Sequence, residues 1–329
     1  MGAAITGWGT ALPRREVTNE ELAEGLDVSA EWIFERTGIR TRRVAAVEDS
    51  ASSLATTAAH KAIELAGIEP NDLDLVLLAT STPNAQMPAT ASLVQDAVGA
   101  SNAGAFDLNA ACSGFLVALA QATAQVESGM AGRVLVCGAD LLSRVLDYSD
   151  PRSCILFGDG AGAVVLEASP GATRLGPFRI RSDGSKAHLL HIPPHDGHLR
   201  MQGREVYRHA VACMTASVRE VLDAGGVTVD QVDLLVAHQA NARIIEAVAA
   251  RVGLEPSKAM LNIHRLGNTS AASIPLALAE AVDTGRLRDG DLVVLAAFGA
   301  GFVWGAGMVR WGTGRAPVDQ LVGAGRARV

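Results

Sequence analysis

The stretch Phe106-Asp-Leu-Asn-Ala-Ala-Cys-Ser-Gly-Phe115 joins a short strand, a polar turn at Asn109 and a helix that begins close to Cys112. No charged residue occurs from Cys112 to Val126, whereas a surface helix ordinarily carries a polar stripe. We therefore expect this helix to be buried on nearly all sides. Its first turn offers unpaired N–H groups and the positive end of the helix dipole, which favour a thiolate at Cys112. The alternative interpretation of Cys112 is a packed core cysteine.

The composition indicates a globular protein with a large core, since 49% of the 329 residues are hydrophobic and 19% are charged. A net charge of −7 argues against a general nucleic-acid-binding protein, which needs a basic surface. The sequence contains no apolar run long enough to span a membrane. The cysteines are far apart and form no CxxC pair, which favours a reducing compartment, so we expect a cytoplasmic protein: Cys112, Cys137, Cys154 and Cys213.

Apolar strands alternate with helices along the chain, which predicts an α/β sheet. Three pieces of sequence recur, each 159 positions further on: 73–75 at 232–234, 116–122 at 275–281, and 134–136 at 293–295. A constant offset indicates an internal duplication. We predict a first half at 1–170 that carries Cys112, a second half at 171–311 that carries His238 and Asn268, and a mobile tail at 312–329.

The same offset relates the candidate functional residues to one another. It pairs Cys112 with Ala271, Asn109 with Asn268, and Ala79 at the end of a strand with His238. If the halves pack about a pseudo-twofold axis, the loops at the starts of the two uncharged helices converge. We therefore expect Cys112, His238 and Asn268 to line one cleft. Taken alone, Asn268 could simply cap its helix.

A cysteine, a histidine and an asparagine in one cleft allow two kinds of chemistry. A thiolate at a helix N-terminus is a nucleophile for acyl transfer, and the helix dipole would lower its pKa. His238 could accept the thiol proton, as in a cysteine protease. Alternatively, His238 and Asn268 could both donate hydrogen bonds to one oxygen, which suits a developing enolate. The turn at Gly299-Ala-Gly301 could place the Ala300 N–H beside the Cys112 N–H as an oxyanion site.

The chain resembles the β-ketoacyl-[acyl-carrier-protein] synthase III family from about Ile5 to Arg310. The motifs that carry the resemblance are Trp32-Ile-Phe-Glu-Arg-Thr-Gly-Ile-Arg40, Ala110-Ala-Cys-Ser-Gly114, Phe157-Gly-Asp-Gly-Ala-Gly-Ala163, His238-Gln-Ala-Asn241, Gly267-Asn-Thr-Ser-Ala-Ala-Ser273 and Phe298-Gly-Ala-Gly-Phe302. The resemblance implies an α/β protein with a thiolase-like fold, whose duplicated halves form a five-layer α-β-α-β-α arrangement.

The resemblance also implies a reaction. Cys112 would take a primer acyl group from acyl-CoA as a thioester, and His238 and Asn268 would hold the malonyl thioester carbonyl of malonyl-[acyl-carrier-protein] while carbon dioxide leaves. The carbanion would attack the Cys112 thioester and give a 3-oxoacyl carrier protein, which starts a fatty-acid or polyketide chain. The expected partners are acyl-CoA, the loaded carrier protein and a second copy of the chain. No cofactor or metal is expected.

Further site residues follow from the resemblance alone. The CoA and pantetheine channel would be lined by Trp32, Arg36, Arg152, Asn241 and Arg243, with the adenine held between Trp32 and Arg152. The acyl pocket would be formed by Met87, Leu142, Phe157 and Met201, with Met87 reaching across a homodimer. Carrier-protein docking would use Arg208, Arg243 and Arg251. Three departures from the family pattern are Ala300, where a glycine is common, Pro151 before Arg152, and a tail after Trp311 that is longer than usual.

Two other functions compete with this one. A member of the same family could pass the Cys112 acyl group to a hydroxyl or amine of a natural product without decarboxylation; the His238 and Asn268 pair argues against it. The chain could also be a catalytically inactive partner subunit, although it keeps all three site residues. A metal site is not expected at the histidines between 188 and 198, because Pro193, Pro194 and Gly197 break any helix that would align them.

Overall fold

The computed structural model describes residues 2–169, 174–194 and 196–312. Its strands are β1 Gly2–Ala11, β2 Arg15–Thr18, β3 Thr41–Val44, β4 Leu75–Ala79, β5 Gly104–Leu108, β6 Arg133–Leu141, β7 Asp159–Ser169, β8 Leu175–Ser182, β9 Leu190–His191, β10 Arg200–Met201, β11 Leu234–Ala237, β12 Leu292–Gly299 and β13 Val303–Arg310. Its helices are α1 Asn19–Ala23, α2 Ala30–Thr37, α3 Ala51–Ala66, α4 Thr90–Val98, α5 Gly114–Glu127, α6 Gly203–Gly225, α7 Ala242–Val252, α8 Ile263–Leu266 and α9 Ser273–Asp283.

Two mixed sheets share one topology. The first has the strand order β1-β7-β6-β4-β5, in which β4 runs parallel to both β5 and β6. The second has the order β8-β13-β12-β11, in which β11 runs parallel to β12. At its edge, Leu235 forms a single parallel bridge with Ala259, where the first sheet has the whole strand β5. The duplicated architecture is therefore repeated in the strand order as well as in the sequence.

The alternation of side chains along each strand builds the layers. Val134 and Val136 of β6 join a central core with α5, α9 and the second sheet, whereas Leu135 and Cys137 face α3 and α4. The second sheet alternates in the same way between the central core and the outer helices α6 and α7. Helices thus cover the outer face of each sheet and fill the space between them. The predicted five-layer α-β-α-β-α arrangement is confirmed.

Local signals in the sequence repeat between the halves. Helix α3 begins at a capping box formed by Ser50 and Ser53, and it ends at Gly67, whose φ is +63°. Helix α6 ends at Gly226, 159 positions after Gly67, also with a φ of +63°. Both glycines adopt a left-handed conformation that other residues enter at a cost. The same residue type therefore ends the corresponding outer helix in each half.

The prediction that the helix after Cys112 is buried on nearly all sides is wrong for this chain. Gln121 and Ala124 of α5 are exposed, and the neighbouring Val117 is half-buried. No element among the described residues covers this stripe of small and uncharged side chains. In contrast, α9 is buried from Ser273 to Ala279. The absence of charged residues from α5 therefore does not mean that the rest of the same chain buries this helix.

The predicted boundary between the halves lies close to the change of sheet. Strand β7 ends the first sheet at Ser169, and β8 begins the second at Leu175. Residues 170–173 fall outside the described part of the chain, as does nearly all of the tail at 312–329, so the boundary and the mobile tail stay predictions. Within the described residues, no helix is long and apolar enough to cross a membrane.

Candidate active site

The site is built on two short turns that share one backbone conformation. The 3-10 turns Ala111–Ser113 and Ser270–Ala272 precede α5 and α9, and each begins with a left-handed residue, Ala111 at φ +47° and Ser270 at φ +51°. In each turn the side chain of an asparagine two residues earlier accepts the N–H of that residue, at 3.1 Å for Asn109 and 2.9 Å for Asn268. The offset thus relates two copies of one turn, with Cys112 in the first and Ala271 in the second.

Glycines let each turn approach the sheet of the other half. A Cβ on Gly138 of β6 would collide with the carbonyl oxygen of Ala271. A Cβ on Gly299 of β12 would lie 2.8 Å from the Cys112 nitrogen. This close approach brings the turns together, so that Ser270 Oγ lies 3.3 Å from Cys112 Sγ.

The turns open into a cavity of about 1200 Å³. Cys112, His238, Asn268 and Ala300 all line it. The three elements that deliver the first three side chains are the first turn, the end of β11 and the second turn. The residues that the sequence analysis expected in one cleft therefore share one cavity.

His238 is held as a neutral imidazole. It follows β11 directly, and its Nδ1 lies 2.6 Å from the Ser273 hydroxyl. Burial lowers the pKa of His238 to about 3. With Nδ1 engaged by Ser273, Nε2 is the ring nitrogen left for the cavity. The sequence analysis missed this positioning role of Ser273, although the residue ends the motif that contains Asn268.

Asn268 is held by hydrogen bonds to its backbone and to the oxygen of its side-chain amide. Its N–H donates to the Leu156 carbonyl at 2.8 Å, and its carbonyl accepts the Gly158 N–H at 3.0 Å. The side-chain Oδ1 accepts the Ser270 N–H, and no described residue accepts a hydrogen bond from Nδ2. Asn268 therefore stabilises its turn and also presents a donor to the cavity, so the two interpretations of this residue are compatible.

The expected lowering of the Cys112 pKa does not occur. Burial raises the pKa of the thiol to about 12, and a hydrogen bond from Ser270 opposes this effect. The cause is desolvation, because the half-buried Cys112 lies where the two turns meet, and a thiolate there loses water that would stabilise it. Cys112 is therefore a thiol, and the helix N-terminus alone does not ionise it.

The backbone N–H groups of Cys112 and Ala300 are the predicted oxyanion donors. No described residue accepts the Cys112 N–H, and Ala300, whose N–H was predicted as the second donor, lines the same cavity. A pair of N–H groups that point at one oxygen is the usual means of stabilising a thioester oxyanion, and this role of Cys112 and Ala300 stays a prediction. The replacement of glycine by Ala300 leaves this N–H in place.

The residues expected along the CoA channel line the cavity: Trp32, Arg36, Arg152, Asn241 and Arg243. The Arg36 guanidinium lies over the Trp32 ring, 4.9 Å from its centroid. Arg152 is exposed and pairs with Asp150 at 2.8 Å. Arg204 also lines the cavity and was missed, because it lies outside every motif.

The other predicted residues fall into two groups. Leu142, Phe157 and Met201 line the cavity. Met87 lies outside it and is 85% exposed. Arg208 and Arg251 are also outside the cavity, exposed on α6 and at the end of α7. The carrier-protein docking role of the arginines and the acyl-pocket role of the other residues stay predictions.

Metal ligation has no support in the described residues, since no group of three or more histidine, cysteine, aspartate or glutamate side chains lies close enough to hold an ion. His195, one of the four clustered histidines, lies outside the described part of the chain.

A cysteine, a neutral imidazole and a carboxamide where two duplicated α/β halves meet define an acyltransferase of the thiolase fold. Comparison with known proteins identifies the family within this class. Two family models match, "3-Oxoacyl-[acyl-carrier-protein (ACP)] synthase III" over residues 106–184 and its C-terminal counterpart over residues 222–311. The chain is 51% identical over 318 residues to the β-ketoacyl-[acyl-carrier-protein] synthase III of Erythrobacter litoralis, covering 94% of this chain and 99% of that protein. The chain belongs to the β-ketoacyl-[acyl-carrier-protein] synthase III family.

Solved structures agree with this assignment. The 3-oxoacyl-[acyl-carrier-protein] synthase III of Aquifex aeolicus superposes with a TM-score of 0.92 at 45% identity, covering 94% of this chain and 100% of that one. The priming β-ketosynthase of the R1128 polyketide pathway superposes with a TM-score of 0.91 at 36% identity, covering 94% and 96%. The resemblance found in the sequence, the thiolase-like fold and the enzyme class are confirmed.

Proposed function

We propose that this enzyme transfers a primer acyl group from acyl-CoA to Cys112 and condenses it with malonyl-[acyl-carrier-protein], releasing carbon dioxide and a 3-oxoacyl carrier protein. The observation that carries the proposal is that the Cys112 thiol and two neutral donors, His238 and Asn268, line one cavity. The product starts a fatty-acid or polyketide chain.

In the first half-reaction, Cys112 Sγ attacks the acyl carbonyl and CoA leaves as its thiol, carrying the proton that Cys112 gives up. The N–H groups of Cys112 and Ala300 stabilise the oxyanion. Trp32, Arg36, Arg152, Asn241 and Arg243 would guide the CoA, because arginines suit phosphates and a tryptophan face suits an adenine. Leu142, Phe157 and Met201 would surround the acyl chain.

In the second half-reaction, His238 and Asn268 hold the malonyl thioester oxygen. Loss of carbon dioxide leaves an enolate, whose negative charge is stabilised by the His238 Nε2–H and the Asn268 Nδ2–H. A histidine that stays neutral supplies a donor without holding the malonyl carboxylate as an ion pair. The enolate carbon then attacks the Cys112 thioester, and the sulfur leaves.

A homodimer is part of this proposal. Phe106 on the edge strand β5 is 44% exposed, and Leu93 on helix α4 is 40% exposed. Helix α5 exposes its stripe of uncharged side chains. Paired with a second copy, these surfaces would be buried, and the exposed Met87 would reach the partner's acyl pocket. Carrier protein would dock on α6 and α7, where Arg208, Arg243 and Arg251 provide positive charge for an acidic partner. We place the reaction in the cytoplasm and expect no cofactor.

The test separates the two half-reactions. Incubation with acyl-CoAs of increasing chain length, followed by intact mass measurement, should show one acyl adduct on the enzyme. Cys112→Ala should abolish it, and Cys213→Ala should leave it unchanged, because Cys213 lies outside the cavity. Malonyl carrier protein should then release carbon dioxide and the 3-oxoacyl product.

Two results would contradict the proposal. An adduct that persists in Cys112→Ala would remove this cysteine from the mechanism. An acylated enzyme that transfers its acyl group to an alcohol or amine, and releases no carbon dioxide from malonyl carrier protein, would instead favour the non-decarboxylating acyltransferase. The chain-length series also identifies the primer.

A further inference from the structure

Gln239 is a fully buried amide that neither half-reaction uses. It lies in the motif His238-Gln-Ala-Asn241, directly after a residue that lines the cavity, but it does not line the cavity itself and has no exposed surface. Its Nε2 donates to the carbonyl oxygens of Ala237, at 2.8 Å, and Met260, at 3.1 Å. This half of the amide therefore joins the end of β11 to the segment that precedes α8.

The other half of the amide holds the start of α8. The Gln239 Oε1 accepts the N–H groups of Asn262 at 3.1 Å and of Ile263 at 3.3 Å. N–H groups at the start of a helix have no acceptor within that helix. A carboxamide has two N–H groups and two lone pairs, so every hydrogen-bonding position of Gln239 is used. Because carbonyls only accept and backbone N–H groups only donate, these partners also fix the orientation of the amide.

Helix α8 leads directly to Asn268. Ile263, whose N–H donates to Gln239, accepts the N–H of Gly267 at 2.9 Å through its own carbonyl. Hydrogen bonds therefore run from the residue after His238 to the residue before Asn268. The Gln239 amide joins the two segments that carry the proposed enolate donors.

We propose that Gln239 is a positioning residue that sets the placement of the Asn268 side chain relative to the His238 side chain. Two donors stabilise one enolate oxygen only when both point to the same place, and a displacement of about 1 Å costs about 10²-fold in rate. Gln239 itself touches no substrate. This inference rests on the donor roles proposed for His238 and Asn268.

A second contact links the same two segments from the other side of Asn268. The His238 Nδ1 lies 2.6 Å from the hydroxyl of Ser273, at the start of α9. Gln239 thus holds the chain before Asn268, and Ser273 holds the chain after it. Loss of Gln239 leaves the second link in place, so we expect a partial loss of decarboxylation.

The experiment compares the two half-reactions in Gln239→Met, which keeps about the same side-chain volume but removes all the hydrogen bonds of the amide. The first rate is acylation of Cys112 by the acyl-CoA that the chain-length series identifies. The second is carbon dioxide release when malonyl carrier protein is added to the acylated enzyme. Carbon dioxide release should fall by about 30-fold, whereas acylation should stay within about twofold of the wild type, because Cys112 lies on the other turn.

The matched control is Gln231→Ala. Gln231 is an exposed glutamine in the same half, whose side-chain oxygen also accepts a backbone N–H, that of Thr228. It lies before β11 and outside the cavity. Its replacement should change neither rate.

A double substitution distinguishes positioning from a general loosening of the site. The relative placement of two donors matters only while both are present, so the two losses should not multiply. Added to Asn268→Ala, Gln239→Met should lower carbon dioxide release by about threefold or less. A further loss as large as in the otherwise wild-type enzyme would show that Gln239 does not act through Asn268, and would overturn the proposal.

Equal losses of both rates in Gln239→Met, or no loss, would also overturn it. If Gln239→Met does not fold, Gln239→Asn, which keeps a carboxamide one methylene shorter, has to meet the same outcomes. The wild-type enzyme separates this failure from failure of the proposed function. A wild type that releases no carbon dioxide removes both, whereas an active wild type with an unaltered Gln239→Met removes only the role of Gln239.

Discussion

The turn that carries Cys112 and its counterpart at Ala271 share a backbone but differ in what their N–H groups meet. The Ala271 N–H donates to Asp140, a carboxylate at the end of β6. The residue 159 positions after Asp140 is Gly299, which has no side chain and leaves the Cys112 N–H unpaired among the described residues. One turn thus donates its N–H to a side chain of the protein, while the equivalent N–H of the other turn is the donor that the proposed mechanism assigns to the substrate oxyanion.

The largest expected effect lies in the two asparagines of these turns. Asn268→Ala removes both a turn cap and a cavity donor, whereas Asn109→Ala removes the equivalent cap in the first half. We expect Asn268→Ala to lower the rate of malonyl decarboxylation by about 10³-fold, as loss of one preorganised donor does. Asn109→Ala should lower it by about tenfold or less.

The measurement is carbon dioxide release from malonyl carrier protein under saturating substrate. Equal losses in the two variants would mean that Asn268 acts only through its turn. The donor role would then have to be withdrawn.

A smaller effect is expected at Gly299, the position in the second half that corresponds to Asp140 in the first. In Gly299→Ala the new Cβ would lie 2.8 Å from the Cys112 nitrogen and 3.0 Å from the Ser113 nitrogen. We expect kcat for primer transfer to fall by about 10²-fold, because the methyl group displaces an oxyanion donor. Gly184→Ala is the control, since nothing lies within 4 Å of its added Cβ. Wild-type kinetics in Gly299→Ala would remove the Cys112 N–H from the oxyanion site.

The two helices that follow the turns give a third comparison. Both are free of charge near their starts, yet α9 is buried and α5 exposes Gln121 and Ala124. If the stripe on α5 is the dimer surface, Ala124→Arg should weaken association by about tenfold or more, because a guanidinium is buried without a partner. Ala224→Arg, at an exposed position on α6, should not. Sedimentation equilibrium across a dilution series measures both; an unchanged dimer in Ala124→Arg would place the interface elsewhere.

The last comparison concerns the strand ends, where Ala79 in the first half corresponds to His238 in the second. The folded pKa of His238 is about 3, lowered from 6.5 by burial. Between these values the unfolded state binds the proton and the folded state does not, so the free energy of unfolding falls as pH falls, by at most about 1.4 kcal/mol per pH unit. His238→Ala should lose this contribution. Denaturant unfolding of both proteins at several pH values from 7 to about 4 checks it; parallel curves would show that His238 is not held neutral.

Much of the site could be predicted from sequence because the duplication supplied its geometry. A constant offset relates Cys112 to the start of α9 and Ala79 to His238, and the pseudo-twofold packing then brings the three side chains together. Asp140 could not be found in this way. A single acid at the end of an apolar strand carries no sign of whether it meets solvent or the N–H of a turn in the other half. Ser273 was equally hidden, because its contact with His238 joins residues 35 positions apart.

The sequence by itself determined the repeated α/β architecture, the family and the identity of the three central side chains, since periodicity, offset and motif are all written along the chain. Only the tertiary structure decided the protonation of Cys112 and His238 and the contrast between Asp140 and Gly299. The physical reason is that desolvation and hydrogen bonding depend on which groups surround an atom in space. The surroundings of the sulfur come from both halves, so neither half contains that information alone.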